Sequence, residues 1–96
     1  MIRFVWHEAK NRSNRKKHGI DFEVAKLVFD DPNCISFVER VKNGEDRWHS
    51  IGLIESIVVI VVVHTYREEA MEEVIRIISA RRATLHERKL YAQAIG

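Results

Sequence analysis

The chain has 96 residues, which is enough for one compact domain and too few for two, because independent domains usually contain about 100 to 200 residues. Hydrophobic residues make up 46% of the chain and charged residues 31%. This composition excludes the class of disordered chains, which have few hydrophobic residues and a high net charge. A lone cysteine, Cys34, excludes an internal disulfide and a cysteine-rich zinc site. The longest apolar run, Ile57 to Val63, is far shorter than the roughly 20 residues of a membrane-spanning helix. We therefore expect one globular, cytoplasmic domain over residues 1–96, with no secretory signal and no membrane contact.

Positive charge is concentrated in two segments, although the net charge of the chain is only +2. Residues 10–17 contain five basic side chains and no acidic one, which gives +5. Residues 76–89 contain five basic side chains against Glu87, which gives +4 and leaves −7 for the rest of the chain. Such asymmetry favours a polyanionic partner, and the alternative is two solvated helix faces that bind nothing.

The N-terminal part of the chain predicts a strand followed by a helix. Ile2–Trp6 is apolar with aromatic and β-branched residues, which is typical of a strand. From His7 to His18 every residue except Ala9 is polar or charged, and Gly19 follows as a left-handed C-cap. A helix that is polar all round needs support from outside its own apolar face, so nucleic acid or a protein partner is a candidate.

A second helix begins at Asp21, which is a good N-cap. Its core face consists of apolar residues at helical spacing, namely Phe22, Ala25, Val28 and Phe29. We expect it to end at Asp30-Asp31-Pro32, because the residue before a proline avoids helical backbone angles.

Four strands are predicted between Cys34 and Ala80. Cys34–Arg40 is joined to Arg47–Ile54 by a turn whose Asn43-Gly44 pair suits left-handed backbone angles. Glu55-Ser56 turns the chain into Ile57–Tyr66, whose continuous apolar sequence predicts a strand that is buried on both faces at the centre of the sheet. The last connection is an acidic loop, followed by a strand over Val74–Ala80. The acidic residues of that loop are Glu68, Glu69, Glu72 and Glu73.

Thr84 and Glu87 have the spacing of a capping box, which predicts a C-terminal helix to about Ala94. The element order is then β-α-α-β-β-β-β-α. Because helices and strands are segregated, and parallel crossovers need a helix between successive strands, we expect an α+β fold with an antiparallel sheet packed by helices.

Several common catalytic sites are absent from the sequence. His7-Glu8 and His86-Glu87 each lack the second histidine of an H-E-x-x-H zinc site, and the four glycines form no phosphate-binding loop. We therefore expect no metal and no cofactor. What remains is a supply of cations, and these suit RNA cleavage. The 2′-hydroxyl of RNA is itself a nucleophile, so the protein has only to move protons and stabilise the anionic phosphate.

The candidate residues for this chemistry lie in the two basic segments. An imidazole exchanges protons near neutral pH, which makes His18 a candidate proton carrier, although a histidine before Gly19 can equally bond the last carbonyls of the helix. Lys17 can attract phosphate or take part in proton transfer. Arg81 and Arg82 are expected between a strand and a capped helix, where they can converge on a phosphate.

Other basic residues are candidates with a structural alternative. Arg67 follows the central strand at a position typical of loop-borne sites, but it can simply pair with the nearby glutamates. Arg76 shares a strand face with Val74 and Ile78, so a partly buried, paired arginine competes with an RNA contact. With Arg76, the expected RNA-binding residues are Lys10, Arg15, Lys16 and Arg88.

Segments along nearly the whole chain resemble the BrnT family of bacterial toxins. They include Trp6-His7-Glu8-Ala9-Lys10, Lys17-His18-Gly19-Ile20, Val28-Phe29-Asp30-Asp31-Pro32, Ile51-Gly52 and the run RIISARRAT from Arg76 to Thr84. The resemblance implies a RelE-like fold and a ribonuclease that is the toxin of a type II toxin-antitoxin pair. It also implies a BrnA-like partner, usually a ribbon-helix-helix antitoxin, which neutralises the toxin and binds the operator DNA.

The resemblance implicates Lys17, His18, Arg67, Arg81 and Arg82 as catalytic residues. The sequence departs from the family at His7, where an aspartate that caps the first helix better is common. We therefore predict a metal-independent endoribonuclease that cuts RNA by 2′-hydroxyl attack, inhibits translation and is neutralised by a BrnA-like antitoxin. The alternatives are a non-catalytic basic module that binds nucleic acid or an acidic protein, and a protein that acts mainly as half of a repressor complex.

Overall fold

A five-stranded sheet carries helices on both faces in the computed structural model, which describes residues 1–95. The elements in chain order are β1 (Ile2–Val5), α1 (Glu8–His18), α2 (Phe22–Ala25), a 3-10 helix (Lys26–Asp30), β2 (Ile35–Lys42), β3 (Glu45–Ile54), β4 (Val58–Glu69), β5 (Glu72–Arg82) and α3 (Leu85–Ile95). The strand order is β1-β5-β4-β3-β2, so the apolar strand β4 is central, as predicted. These elements confirm the expected α+β class. The described residues include no helix that is long and apolar enough to cross a membrane.

Strand β1 corrects the expectation of a purely antiparallel sheet. It pairs with β5 in parallel, from Ile2 opposite Glu73 to Val5 opposite Arg76. The other three pairings are antiparallel hairpins. The crossover rule concerns successive strands, but here every other element except α3 lies between the two parallel partners in sequence. The connection therefore has ample length.

The three hairpins each turn on two residues with positive φ, the pattern of type I′ turns. The Asn43-Gly44 turn confirms its prediction, with φ of 54° and 74°, and Glu55-Ser56 and Ala70-Met71 have the same pattern. The acidic loop predicted from Glu68 to Glu73 is wrong, because only Ala70 and Met71 form the turn and the glutamates extend both strands. Arg3 of β1 helps to hold these glutamates in the strands, because its Nη2 lies 3.5 Å from Glu69 Oε1 and its Nε lies 3.0 Å from Glu72 Oε2.

The larger core lies between one face of the sheet and the α2 region. Phe22, Ala25 and Val28 are fully buried there against β3, β4 and β5. The expected second helix is an α-helix only over its first turn and then tightens into the 3-10 helix. Gly52 permits the close approach of that helix to β3, because a Cβ at Gly52 would lie 2.8 Å from Val28 Cγ1.

The smaller core lies on the opposite face, under α3. Tyr91 packs there with Ile51 and Val61, and its hydroxyl donates to Asp31 at the end of the 3-10 helix. Helix α3 therefore covers one end of this sheet face. The other end, next to β5 and α1, is where the basic side chains gather.

Candidate functional site

Two buried asparagines attach α1 to its neighbours, Asn14 to the edge of β5 and Asn11 to α2. Asn14 Nδ2 donates to the carbonyl of Ala80 at 2.9 Å, and Asn14 Oδ1 accepts from the amide of Ala80 at 3.1 Å, so this side chain pairs as a neighbouring strand would. Asn11 Oδ1 accepts from the amide of Phe22 at 2.9 Å and ties α1 to α2. The polar helix thus finds its support inside the protein, which corrects the expectation of an external partner. The i, i+3 spacing of the two asparagines was the available signal.

The docking of α1 creates a cleft beside β5, which we call the basic cleft. Its volume is about 400 Å³, and it is lined by Lys10, Ser13, Asn14, Lys17, His18, Ile78, Ser79 and Arg81. Lys17 and His18 come from the end of α1, and Arg81 comes from the distant end of β5. The structure therefore brings together three of the five residues expected to be catalytic, together with the expected RNA-binding residue Lys10.

Arg81 is held in the basic cleft by Glu87 of α3. Arg81 Nη1 and Nη2 donate to the two carboxylate oxygens of Glu87 at 2.7 and 2.9 Å, which is a bidentate pair. Glu87 also accepts from the amide of Thr84 at 2.8 Å and donates its own amide to Thr84 Oγ1, which confirms the capping box. The hydrogen bonds from Arg81 lower the pKa of Glu87 to about 2, and Glu87 in turn raises the pKa of Arg81. Arg81 is therefore a fixed cation.

Arg82 lies on the other face of the sheet from Arg81. Strand β5 continues to Arg82, whereas we expected it to stop at Ala80, and successive side chains of a strand point to opposite faces. Arg82 lines a separate groove with Arg15, which forms an ion pair with Asp21 at 2.7 Å. The expectation that Arg81 and Arg82 converge from a loop is therefore wrong.

Arg67 lies far from the basic cleft. Arg67 belongs to β4 and pairs with Val74 of β5, whereas Arg81 of β5 pairs with Val61 of β4. Arg67 is thus six residues along β4 from the partner of Arg81, and six residues of a strand span about 20 Å. Arg67 Nε donates to Glu69 at 2.9 Å. The structure thus places Arg67 in a strand rather than a loop, and in the glutamate pair that the sequence allowed as the alternative.

A second basic cavity adjoins the cleft and is called here the Arg76 cavity. It has a volume of about 170 Å³ and is lined by His7, Lys10, Lys42, Arg47, Arg76, Ile77 and Ile78. Arg76 Nη2 lies 2.8 Å from Glu45 Oε1, so Arg76 is both paired and part of a basic surface. Sequence reasoning missed Lys42 and Arg47, because only the folded sheet places these residues of β2 and β3 in the same cavity as Arg76 of β5. Lys16 and Arg88, which we expected to bind RNA, are exposed and line neither cavity.

Two histidines of the sheet lie outside both cavities. His64 is buried, with Nε2 2.7 Å from Ser50 Oγ and Nδ1 3.1 Å from the carbonyl of Thr65, and burial lowers its pKa to about 4. Burial also lowers the pKa of His49. Within residues 1–95, no group of three or more His, Cys, Asp or Glu side chains is arranged to hold a metal ion.

Comparison with known proteins shows similarity to one kind of toxin. A family model described as the ribonuclease toxin BrnT of type II toxin-antitoxin systems matches residues 6–87, which include every residue of the basic cleft and Glu87. The crystal structure of the Brucella abortus ribonuclease toxin BrnT superposes with a TM-score of 0.60 and 26% sequence identity, over 88% of this chain and 99% of that chain. None of the curated protein sequences compared with the chain matches it.

Proposed function

Because the chain belongs to the BrnT family of ribonuclease toxins of type II toxin-antitoxin systems, we propose that its basic cleft binds RNA and cleaves it. The observation that carries this proposal is the convergence of Lys17, His18 and Arg81, from distant parts of the chain, in one cleft. The proposal treats residues 1–96 as one toxin domain of the RelE-like type, acting in the cytoplasm and inhibiting translation by destroying RNA.

The proposed reaction is attack of the RNA 2′-hydroxyl on the adjacent phosphorus. It breaks the bond to the 5′-oxygen of the next nucleotide and leaves a 2′,3′-cyclic phosphate and a 5′-hydroxyl. One group must accept the proton of the nucleophile, another must protonate the leaving oxygen, and positive charge must stabilise the pentacoordinate phosphate. This route needs no metal ion, since the nucleophile belongs to the substrate.

Arg81 is the proposed phosphate-binding group. Glu87 fixes its guanidinium before substrate arrives, so little reorganisation is needed during the reaction. A guanidinium has five N–H donors, and those used by Glu87 leave others for phosphate oxygens. Arg81 remains 30% exposed, which keeps it accessible to RNA.

Groups from α1 complete the proposed site. His18 is the proposed proton carrier, because an imidazole can accept and donate a proton near neutral pH. Lys17 adds positive charge beside it, and Lys10 binds RNA further along the cleft. Arg67 and Arg82 are omitted from the phosphate-binding set because they lie outside the cleft. Exposed cations such as Lys16 and Arg88 attract RNA at longer range.

We also propose a BrnA-like antitoxin of the ribbon-helix-helix type as the protein partner, with operator DNA bound through the antitoxin. Membership of a type II family supports an antitoxin that is itself a protein. Occupation of the basic cleft by that partner would exclude RNA and neutralise the toxin.

The direct experiment incubates the purified protein with RNA in EDTA and identifies the ends of the products. We expect cleavage with 2′,3′-cyclic phosphate ends, and a rate that falls about 100- to 1,000-fold in Arg81→Ala because transition-state charge is no longer stabilised. Arg67→Ala is the matched control, since it removes a glutamate-paired arginine from the same sheet outside the cleft. Circular dichroism checks that both variants fold.

Other results would contradict the proposal in distinct ways. Intact RNA with the wild-type protein would overturn the enzymatic function, and salt-dependent RNA binding without cleavage would then favour the non-catalytic module. Equal cleavage by the wild type, Arg81→Ala and Arg67→Ala would remove the basic cleft from the reaction.

A further inference from the structure

We infer that the Arg76 cavity is a second phosphate subsite, which holds a phosphate of the RNA next to the one that is cleaved. The inference rests on the proposed function of the basic cleft and adds Lys42 and Arg47 to the RNA-binding surface. A phosphodiester of the RNA backbone is the ligand to which we commit.

Charge is the first argument for an anionic ligand. Four cations, Lys10, Lys42, Arg47 and Arg76, line this cavity, and Glu45 is the carboxylate paired with two of them. The cavity of about 170 Å³ lies well below the roughly 300 to 1,000 Å³ of pockets that enclose drug-sized ligands. Its size and charge suit one phosphate group better than a whole nucleotide.

The incomplete pairing of Arg47 is the second argument. Its side chain is only 15% exposed, and its closest carboxylate oxygen, on Glu45, is 3.9 Å away. That same oxygen already lies 2.8 Å from Arg76 Nη2, so two guanidinium groups share one carboxylate. In the part of the chain that the structure describes, Arg47 Nε is a buried donor with no acceptor. A buried charged donor in this state is costly, and a phosphate has enough oxygens to serve both arginines.

Continuity with the basic cleft is the third argument. Lys10 and Ile78 line both cavities, so an RNA strand can pass directly from one to the other. The register of β4 with β5 shifts between Val63 and His64, which leaves Ile78 as the extra residue of a bulge. Bulges re-aim side chains and are frequent beside active sites. The bulge residue Ile78 thus lies where the two cavities adjoin.

Glu45 has a specific part in this proposal. In the free protein its carboxylate occupies the place of an anion between Arg76 and Arg47, and a bound phosphate competes with it. Removing the charge of Glu45 should therefore strengthen RNA binding more than removing the charge of a neighbouring acid does. Asp46 is the matched neighbour, because it is exposed and its loss changes the net charge equally.

The first test is a binding cycle between protein and RNA. Labelled RNA with 2′-O-methyl groups resists cleavage, and fluorescence anisotropy measures its affinity while each phosphodiester in turn is replaced by an uncharged methylphosphonate. We expect that neutralising one phosphodiester, next to the cleaved one, weakens binding to the wild-type protein. The same replacement should not weaken binding further in Arg76→Gln or Arg47→Gln, because these variants have already lost the contact. Lys42→Gln is the additional variant, since an exposed lysine can be replaced without disturbing the core. The subsite would be overturned if, at every linkage, the loss of affinity caused by the neutral phosphonate and the loss caused by the substitution simply added in all three variants.

The second test compares the salt dependence of binding. The affinity for RNA falls as the salt concentration rises, and each lost phosphate contact should reduce the steepness of this fall, on logarithmic axes, by about 0.7. Arg76→Gln and Lys42→Gln should therefore make the dependence on salt less steep, and Arg67→Gln should leave it unchanged. Glu45→Gln should bind RNA several-fold more tightly than Asp46→Asn. Equal affinities of these two acid variants, or a slope that changes as much in Arg67→Gln, would contradict the inference.

The two proposals fail separately in these measurements. Wild-type protein that binds RNA through a coupled linkage but never cuts it would overturn the proposed function and keep the anionic subsite. Active protein without any coupled linkage would overturn the subsite alone. Protein that neither binds nor cuts RNA would overturn both.

Discussion

Glu87 has two partners, because one carboxylate both fixes Arg81 and caps α3. We predict that Glu87→Gln lowers the free energy of unfolding at pH 7 by about 1.5 to 3 kcal/mol, the usual contribution of hydrogen bonds to charged groups. The pKa of Glu87 is about 2 in the folded protein, against 4.5 as its ordinary value. Its contribution is therefore complete above pH 4.5 and declines as the pH falls towards 2. Urea denaturation across this range measures both effects.

Asp46→Asn is the control for this measurement, since Asp46 is an exposed acid of the neighbouring strand β3. It should retain the wild-type change of stability between pH 4.5 and 2. If Glu87→Gln retained the same change, the titration of Glu87 would not be the source of the acid destabilisation between pH 4.5 and 2.

At the scale of elements, the attachment of α1 depends on an amide side chain instead of apolar packing. Asn14→Ala would leave the amide and the carbonyl of Ala80 without partners in a buried position, and we expect a loss of about 2 to 4 kcal/mol in unfolding free energy. Hydrogen exchange of the Ala80 amide should accelerate. Arg12→Ala, an exposed position on the same helix, is the control and should leave both values near those of the wild type. Unchanged exchange in Asn14→Ala would show that α1 is held by other contacts.

The elements that could be predicted from the sequence are those with a local cause. The capping box of Thr84 and Glu87, the Asn43-Gly44 turn and the apolar β4 each depend on neighbouring residues. The parallel pairing of β1 and the extension of β5 to Arg82 depend on partners far away in sequence, so periodicity did not reveal them.

The same distinction applies to the candidate site. Lys17, His18 and Arg81 could be found from charge and from the family resemblance, since they lie in the two basic segments. The different positions of Arg81 and Arg82 could not, because they follow from how far β5 extends and which face each side chain takes. Arg47 could not be assigned to the Arg76 cavity from the sequence, because its position there depends on the register of the sheet.

At the scale of the whole molecule, the two sheet faces respond to acid in different pH ranges. His64 packs against Phe29 on the face of the larger core, whereas Glu87 belongs to α3 on the other face. The pKa of His64 is about 4, against an ordinary value of 6.5, because its imidazole is buried. Between pH 6.5 and 4, His64 is therefore protonated in the unfolded chain but neutral in the folded protein. The free energy of unfolding thus declines as the pH falls from 6.5 to 4.

We accordingly predict acid destabilisation in two steps, one between pH 6.5 and 4 from His64 and one between pH 4.5 and 2 from Glu87, each of at most about 3 kcal/mol. His64→Gln should flatten only the first step and Glu87→Gln only the second. The double variant should lack the contributions of both residues and keep only the acid response of other groups whose pKa values the fold lowers, such as Asp21, Asp31 and His49. The two changes should add to within about 0.5 kcal/mol, because the two side chains share no hydrogen-bond partner. Chemical denaturation of the four proteins at intervals of half a pH unit measures this. A single step that both substitutions alter equally would mean that acid acts on the molecule through a group other than these two.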